Sequence, residues 1–281
     1  MELLKNKKKV VAGADFNNFI FILRSFNFCA DLAAGAVYLY FVLVLNAQNV
    51  KLSIIVPVYN EKNTILEILK RLADLDLGII EKEIIIVDDC SKDGTKDIVK
   101  SLGDNYKIIF HELNQGKGAA IRTGLKEATG DYVVIQDADL EYNPNDLKTM
   151  VDKMAAENLD VLYGSRRLNK ENIQHSGFQY YLGGLVLTVL TNFLYGQKLT
   201  DEPTCYKMFK TELIKAMPLV CRRFEFCPEV TALISLSGYK IKEIPISYFP
   251  RHKKEGKKIG WHDAFVAILV LLKYKINSFL S

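Results

Sequence analysis

Asp137-Ala138-Asp139 sets two carboxylates one residue apart at the end of an apolar run, Tyr132 to Gln136. Charges of one sign at that spacing repel unless something positive sits between them. Residues i and i+2 of a strand share a face, so a strand continued to Asp139 aims both carboxylates the same way. A turn at Ala138 also lets them converge. A hard divalent cation, Mg2+ or Mn2+, relieves the repulsion, because it takes oxygen ligands and shares its shell with phosphates. Glu141 adds a further oxygen two residues on, so Asp137, Asp139 and Glu141 are the expected metal ligands. A nucleotide diphosphate bridging to the ion would have its leaving-group charge neutralised. The plainer reading of the same residues is a solvated acidic turn.

The elements around these residues decide between the two readings. Leu52 to Val58 is a β-branched run ending at Pro57-Val58, and Ile65, Ile68, Leu69 and Leu72 recur at helical spacing in a segment from Asn63, the expected N-cap, to Leu75. Glu83 to Val87 reads as a second strand, Thr95 to Leu102 as a helix and Lys107 to His111 as a third strand. A helix follows the Gly-rich turn Asn114 to Gly118 and runs to Ala128, and Tyr132 to Gln136 is the fourth strand. This alternation predicts an α/β fold with a parallel, doubly wound sheet flanked by helices. Such sheets bind ligands beyond the carboxyl ends of their strands. Those ends carry Pro57, Tyr59 and Glu61, then Asp88 and Asp89, then Asp137 and Asp139. Tyr59 is placed to stack a base, while Glu61 and Asp88 are placed to accept from a ring N–H or from ribose hydroxyls. Lys117, between two glycines, reads as a cation at the phosphate edge; its turn matches neither a Walker motif nor GxGxxG.

Composition narrows the setting. Of the 281 residues 49% are apolar and 25% charged, an ordinary globular mixture. The net charge of +4 equals the excess carried by Arg251 to Lys258 alone, a cluster that reads as a solvated loop or, beside an apolar helix, as a contact for anionic lipid headgroups; no nucleic-acid partner is expected. The five cysteines show neither metal spacing nor the density of a disulfide framework and read as reduced thiols of a cytosolic environment. Residues 1–50 form a separate extension. Its apolar run, Leu32 to Leu45, is shorter than the roughly 20 residues a spanning helix needs, so any membrane attachment is expected to be peripheral.

The four linked motifs, Val56 to Glu61, Val87 to Thr95, Asn114 to Gly118 and Asp137 to Glu141, resemble the family-2 glycosyltransferases, in particular the dolichol-phosphate mannosyltransferase and polyprenyl-phosphate glycosyltransferase group. The likeness runs from about Lys51 to about Trp261 and leaves out residues 1–50. It implies a GT-A fold in a domain over 51–250, followed by a basic segment and an amphipathic, membrane-apposed helix over 251–281. It implies that Pro57, Tyr59, Glu61 and Asp88 line the nucleoside pocket and that Asp137, Asp139 and Glu141 form the metal and diphosphate site. Gly164-Ser165-Arg166 resembles a segment whose Arg faces the acceptor phosphate, and Asp201 to Lys207 an acceptor-side loop, here without its glycine. Arg251 falls in the family's later basic segment.

Inverting transfer to an alcohol requires a base, for which Asp201 and Glu225 are candidates. The Thr-Glu-Asp and Gln-x-x-Arg-Trp motifs of processive synthases are missing from the sequence. A lipid phosphate is already an anion and requires cations instead; Arg166, Lys207 and Arg251 are the candidates. The apolar stretch Leu182 to Tyr195 and the helical stripe from Phe265 to Phe279, next to the basic cluster, suit a lipid partner and a membrane surface. The sequence therefore predicts sugar transfer from GDP-mannose or a UDP-hexose to a polyprenyl phosphate at the cytoplasmic face of a membrane. The alternatives are a saccharide hydroxyl acceptor and a non-catalytic nucleotide-sugar-binding module.

Overall fold

Seven strands form one sheet in the order β3-β2-β1-β4-β6-β5-β7, in a computed structural model that describes residues 50–172, 177–251 and 260–280. The 1–50 extension, Val50 apart, and the basic run beyond Arg251 therefore lie outside the described residues. β1 (Lys51–Val58) occupies the centre because it is apolar toward both faces: Leu52, Ile54, Ile55 and Val56 are fully buried. β2 (Glu81–Asp88) and β4 (Tyr132–Ile135) flank it in parallel, and β3 (Lys107–Phe110) extends β2. The connecting helices are α1 (Ile65–Asp74), α2 (Thr95–Lys100) and α3 (Lys117–Glu127). α1 turns Ile65, Ile68, Leu69 and Leu72 inward, as their spacing predicts. It begins one residue later than expected. The cap position belongs to Thr64, whose hydroxyl donates to the Glu61 carboxylate at 2.9 Å and keeps residues 61–64 in a turn.

The second half of the sheet is not uniformly parallel. After α4 (Asp146–Ala156), β5 (Val161–Ser165) pairs in parallel with β7 (Lys242–Pro245), while β6 (Lys207–Lys210) inserts between β4 and β5 and runs antiparallel to both. Tyr132 at the start of β4 faces Lys210 at the end of β6. The loop entering β6 is thereby delivered to the rim where the parallel strands end, so that Asp201, Glu202, Pro203 and Cys205 line the same cavity as Asp137 and Asp139.

α6 (Thr211–Ala216) and α7 (Phe226–Leu236) lead to β7, and α8 (Trp261–Leu280) ends the described chain. Leu187 of α5 (Phe178–Tyr195), Ala232 of α7, and Ala267 and Leu271 of α8 form a small core of their own. The opposite faces of two of these helices stay exposed: Leu182, Val186, Val189 and Phe193 on α5, and Phe265, Leu269, Leu272, Ile276 and Phe279 on α8. α8 is thus both a helix packed on the domain and the bearer of an apolar stripe. Among the described residues no helix is long and apolar enough to cross a membrane.

Candidate active site

One cavity of about 970 Å³ opens at the carboxyl rim of the sheet. Pro57, Tyr59, Glu61, Asp89, Lys117, Asp137, Asp139, Glu141, Arg166, Asp201 and Arg251 all line it, so most of the residues singled out in the sequence converge there. They do so because β1, β2 and β4 end side by side: Val58 is in register with Asp88, and the Gln136 N–H reaches the Ile55 carbonyl.

The two aspartates of the DxD turn meet different cations. Lys117 Nζ lies 2.6 Å from Asp137 Oδ1 and donates to Cys205 Sγ at 3.0 Å. Burial disfavours the Lys117 charge most strongly, but Asp137, Cys205 and Cys227 together outweigh it and hold the ammonium well above its usual pKa. Arg251 Nη2 donates to Asp139 Oδ2 at 3.0 Å, and Nη1 and Nη2 donate to the Glu61 carboxylate at 3.1 and 3.3 Å. Burial, then the charges of Asp137 and Glu141, push the Asp139 carboxyl up to about 7 against the opposing pull of Arg251. Negative charge is in excess at this edge even with two cations present.

Glu141, expected as the third metal ligand, is placed differently from the two aspartates. Among the described residues no cluster of three or more His, Cys, Asp and Glu side chains is arranged to hold an ion. Asp137 and Asp139 share the cavity, whereas both Glu141 oxygens face the chain: Oε2 accepts from the Tyr248 hydroxyl and Oε1 from the Arg251 backbone N–H, each at 2.9 Å. An all-oxygen pair carrying surplus charge does fit a divalent cation that completes its shell with phosphate oxygens. It does not amount to a cage built by the protein alone.

Asp89 lines the cavity and also shapes the Gly-rich turn. Its carboxylate accepts the backbone N–H groups of Gln115 (2.8 Å) and Gly116 (2.7 Å) and lies 2.7 Å from His111 Nδ1. Gly116 has φ of +97°, and a Cβ there would stand 2.4 Å from the Arg222 carbonyl oxygen. Gly116→Ala is therefore expected to lower stability by about 2–3 kcal/mol in urea unfolding, through strain and a backbone clash together. Asp88 is fully buried; Oδ1 accepts from the Ser91 N–H at 3.0 Å, and Oδ2 has no hydrogen-bond partner among the described residues.

On the other side of the cavity, Arg166 is clamped to Asp201. Nε donates to Oδ2 and Nη2 to Oδ1, both at 2.7 Å, and the Arg166 backbone N–H adds a third bond at 2.9 Å. Burial pulls the Asp201 pKa upward, yet the Arg166 charge and hydrogen bonds prevail and hold it below the ordinary carboxylate value. An ionised carboxylate engaged this way is poorly suited to accept a proton. The guanidinium also stacks on Tyr248, 5.0 Å from its ring centroid. Glu225 does not line the cavity and accepts the N–H groups of Arg222 and Arg223.

Lys207, expected as an acceptor-side cation, points inward. It is 1% exposed, donates to the Glu202 carbonyl at 2.6 Å and lies 3.6 Å from the Tyr163 ring centroid. Its charge is satisfied within the core by Glu202 and an aromatic face. Sequence reasoning in turn missed Tyr142, Arg223, Phe224, Cys227 and Tyr248, all of which line the cavity. No spacing marks them, since they arrive from segments lying outside the four motifs.

Residues 53–217 match the model of the family described as glycosyl transferase family 2. Among similar curated proteins, a dodecaprenyl-phosphate galacturonate synthase of Rhizobium johnstonii is 28% identical over 230 residues, covering 80% of this chain and 66% of the relative. A UDP-N-acetylglucosamine–dolichyl-phosphate N-acetylglucosaminyltransferase of Methanococcus voltae is 30% identical over 213 residues, covering 69% of this chain and 83% of the relative. Among solved structures, glucosyl-3-phosphoglycerate synthase from Mycobacterium tuberculosis, in complex with Mg2+ and uridine diphosphate, superposes with a TM-score of 0.59 at 15% identity. That likeness covers 83% of this chain and 81% of the other and concerns the fold, which is of the GT-A type.

Proposed function

Because this chain belongs to glycosyl transferase family 2, we propose that it moves a sugar from a nucleoside diphosphate sugar to a polyprenyl or dolichyl phosphate, with Mg2+ or Mn2+ as cofactor. The observation that carries the reading is the continuity of one cavity. It runs from the Asp137–Asp139 edge past Arg166 and Arg167 to Gly183, Gly184 and Leu187 of α5 and to Ala264 and Ala267 of α8. A charged donor end, a cationic middle and an apolar exit match a nucleotide sugar, a phosphate and an isoprenoid chain in turn. The two curated relatives described above are named for polyprenyl- and dolichyl-phosphate acceptors.

Tyr59 and Pro57 form the nucleoside wall; Asp88, fully buried and outside the cavity lining, would accept a ring N–H at its unsatisfied Oδ2 only once the wall opened to it. Asp137 and Asp139 would hold the cation, which neutralises the departing diphosphate. Lys117 and Arg251 supply further positive charge at the same edge. A phosphate oxygen of the acceptor attacks the anomeric carbon, the bond from that carbon to the diphosphate oxygen breaks, and the configuration inverts. The nucleophile is already an anion, so no side chain need take a proton. This agrees with Asp201 being held by Arg166. The exposed stripes of α5 and α8 would rest on the lipid surface as a peripheral attachment at the cytoplasmic face.

One experiment tests the whole reading. GDP-mannose and UDP-hexoses are offered with polyprenyl phosphate in anionic liposomes or with soluble saccharides, each with Mn2+ or with chelator. Transfer is expected to the liposomal phosphate with metal alone. Preference for the saccharide would replace the acceptor, equal rates in chelator would remove the cation, and donor binding without turnover would make the chain a binding module.

A further inference from the structure

Glu141 holds a four-residue segment across the cavity rim. The Tyr248 hydroxyl and the Arg251 backbone N–H donate to its two carboxylate oxygens, each at 2.9 Å, and the Phe249 N–H donates to its carbonyl at 2.8 Å. The adjacent Tyr142 forms an isolated antiparallel bridge with Tyr248, their ring centroids 5.6 Å apart. Both ends of the segment carry consequences. At one end the Arg251 guanidinium lands on Asp139 and Glu61; at the other the Tyr248 ring lies under Arg166. The donor-side cation is thus placed by this stretch of chain, the acceptor-side Arg166, itself held by Asp201, stacks on its other end, and Glu141 is what ties the stretch down.

A carboxylate that binds a cation must turn an oxygen toward it. Both Glu141 oxygens already accept from the segment, its side chain is 10% exposed, and turning either one would release Tyr248 or Arg251. We propose that Glu141 is a positioning residue that clasps Tyr248–Arg251 over the site, and that the cation is left to Asp137 and Asp139. The inference rests on the sugar-transfer reading above and changes the task of one of its residues. It also accounts for a carboxylate being set where the negative charge is already in excess: the backbone N–H at Arg251 and the phenol at Tyr248 require an acceptor there.

The test compares Asp139→Asn, Glu141→Gln and Glu141→Ala in the full chain. Mn2+ binding is measured by electron paramagnetic resonance in the presence of UDP or GDP. Asp139→Asn is expected to weaken Mn2+ binding by about tenfold or more, and both Glu141 variants by no more than about threefold. In transfer assays Glu141→Ala is expected to lower turnover about tenfold alone and to add little to Arg251→Gln, because both act through the same guanidinium. Glu141→Gln weakening Mn2+ as much as Asp139→Asn, or turnover losses that multiply, overturns the clasp. A parent protein that neither transfers sugar nor binds Mn2+ with either nucleotide defeats the sugar-transfer reading instead. The clasp is then decided by a thermal-unfolding cycle of Tyr248→Phe with Glu141→Ala: coupled losses support it and additive losses overturn it.

Discussion

Asp139→Asn is expected to lower kcat/KM by about 10³-fold while leaving the protein folded and, at pH 8, more stable than the parent. The amide keeps an oxygen to accept the Glu141 N–H, which Oδ1 takes at 3.1 Å, but offers no charge to a cation. The stability half follows from the carboxyl itself, whose pKa rises from 3.8 to about 7 on folding through burial and the charges of Asp137 and Glu141. Between those values the folded state binds more protons than the unfolded state, so stability falls as pH rises through the window. The cost is absent below about pH 4 and complete above about pH 7. Asn carries none of it, so the Tm difference between variant and parent should grow from pH 5 to pH 8 even though Arg251 loses an ion-pair partner. Measurable transfer with a normal Mn2+ requirement would sink the catalytic assignment; a variant less stable than the parent at pH 8 would sink the electrostatic one.

The first four strands were legible because each contains a continuous run of apolar residues closed by a polar turn, and because three closing turns end in carboxylates or an aromatic. That pattern follows from burial on both faces of a parallel sheet, which leaves chemistry to the strand ends. β6 was not legible as a strand. Four residues, Lys-Met-Phe-Lys, alternate too briefly to be told from a loop, and the antiparallel direction is set by where the chain re-enters the sheet. α8 was legible as an amphipathic helix, but its two faces could not be apportioned between core and surface without Leu187 and Ala232 of its neighbours.

For the site, residue type and position at a strand end located the cavity, whereas partner choice stayed hidden. Asp88 and Asp89 are adjacent in sequence, yet one is buried with an unsatisfied oxygen and the other is consumed by the Gly-rich turn. Lys207 carries the charge expected of an acceptor ligand, but the side chains of a strand alternate between its two faces, and its own face meets Glu202 and Tyr163. Tyr248 and Glu141 are 107 residues apart and meet through a single bridge that no local pattern encodes.

Asp201→Ala is the second large effect expected, and it falls on stability before chemistry. Asp201 is 1% exposed and Arg166 has a side chain 22% exposed, so removing the carboxylate leaves a guanidinium in a sparsely solvated place with its two best hydrogen bonds gone. Breaking such a pair from one side costs about 3–5 kcal/mol, or a Tm drop of about 10 °C for a domain of this size. Replacing both partners by apolar residues of similar volume, Arg166→Met with Asp201→Leu, should recover most of that loss, since neither charge is then stranded. Sugar transfer should not recover with it, because the cationic middle of the cavity has been removed. A base at Asp201 makes the opposite prediction: Asp201→Asn would keep the fold near parental stability, lose turnover, and abolish an acidic limb in the pH–rate profile of the parent. Urea unfolding and pH–rate profiles of the three variants therefore separate a residue that holds Arg166 from one that takes a proton. The bidentate geometry and the lowered Asp201 pKa favour the first.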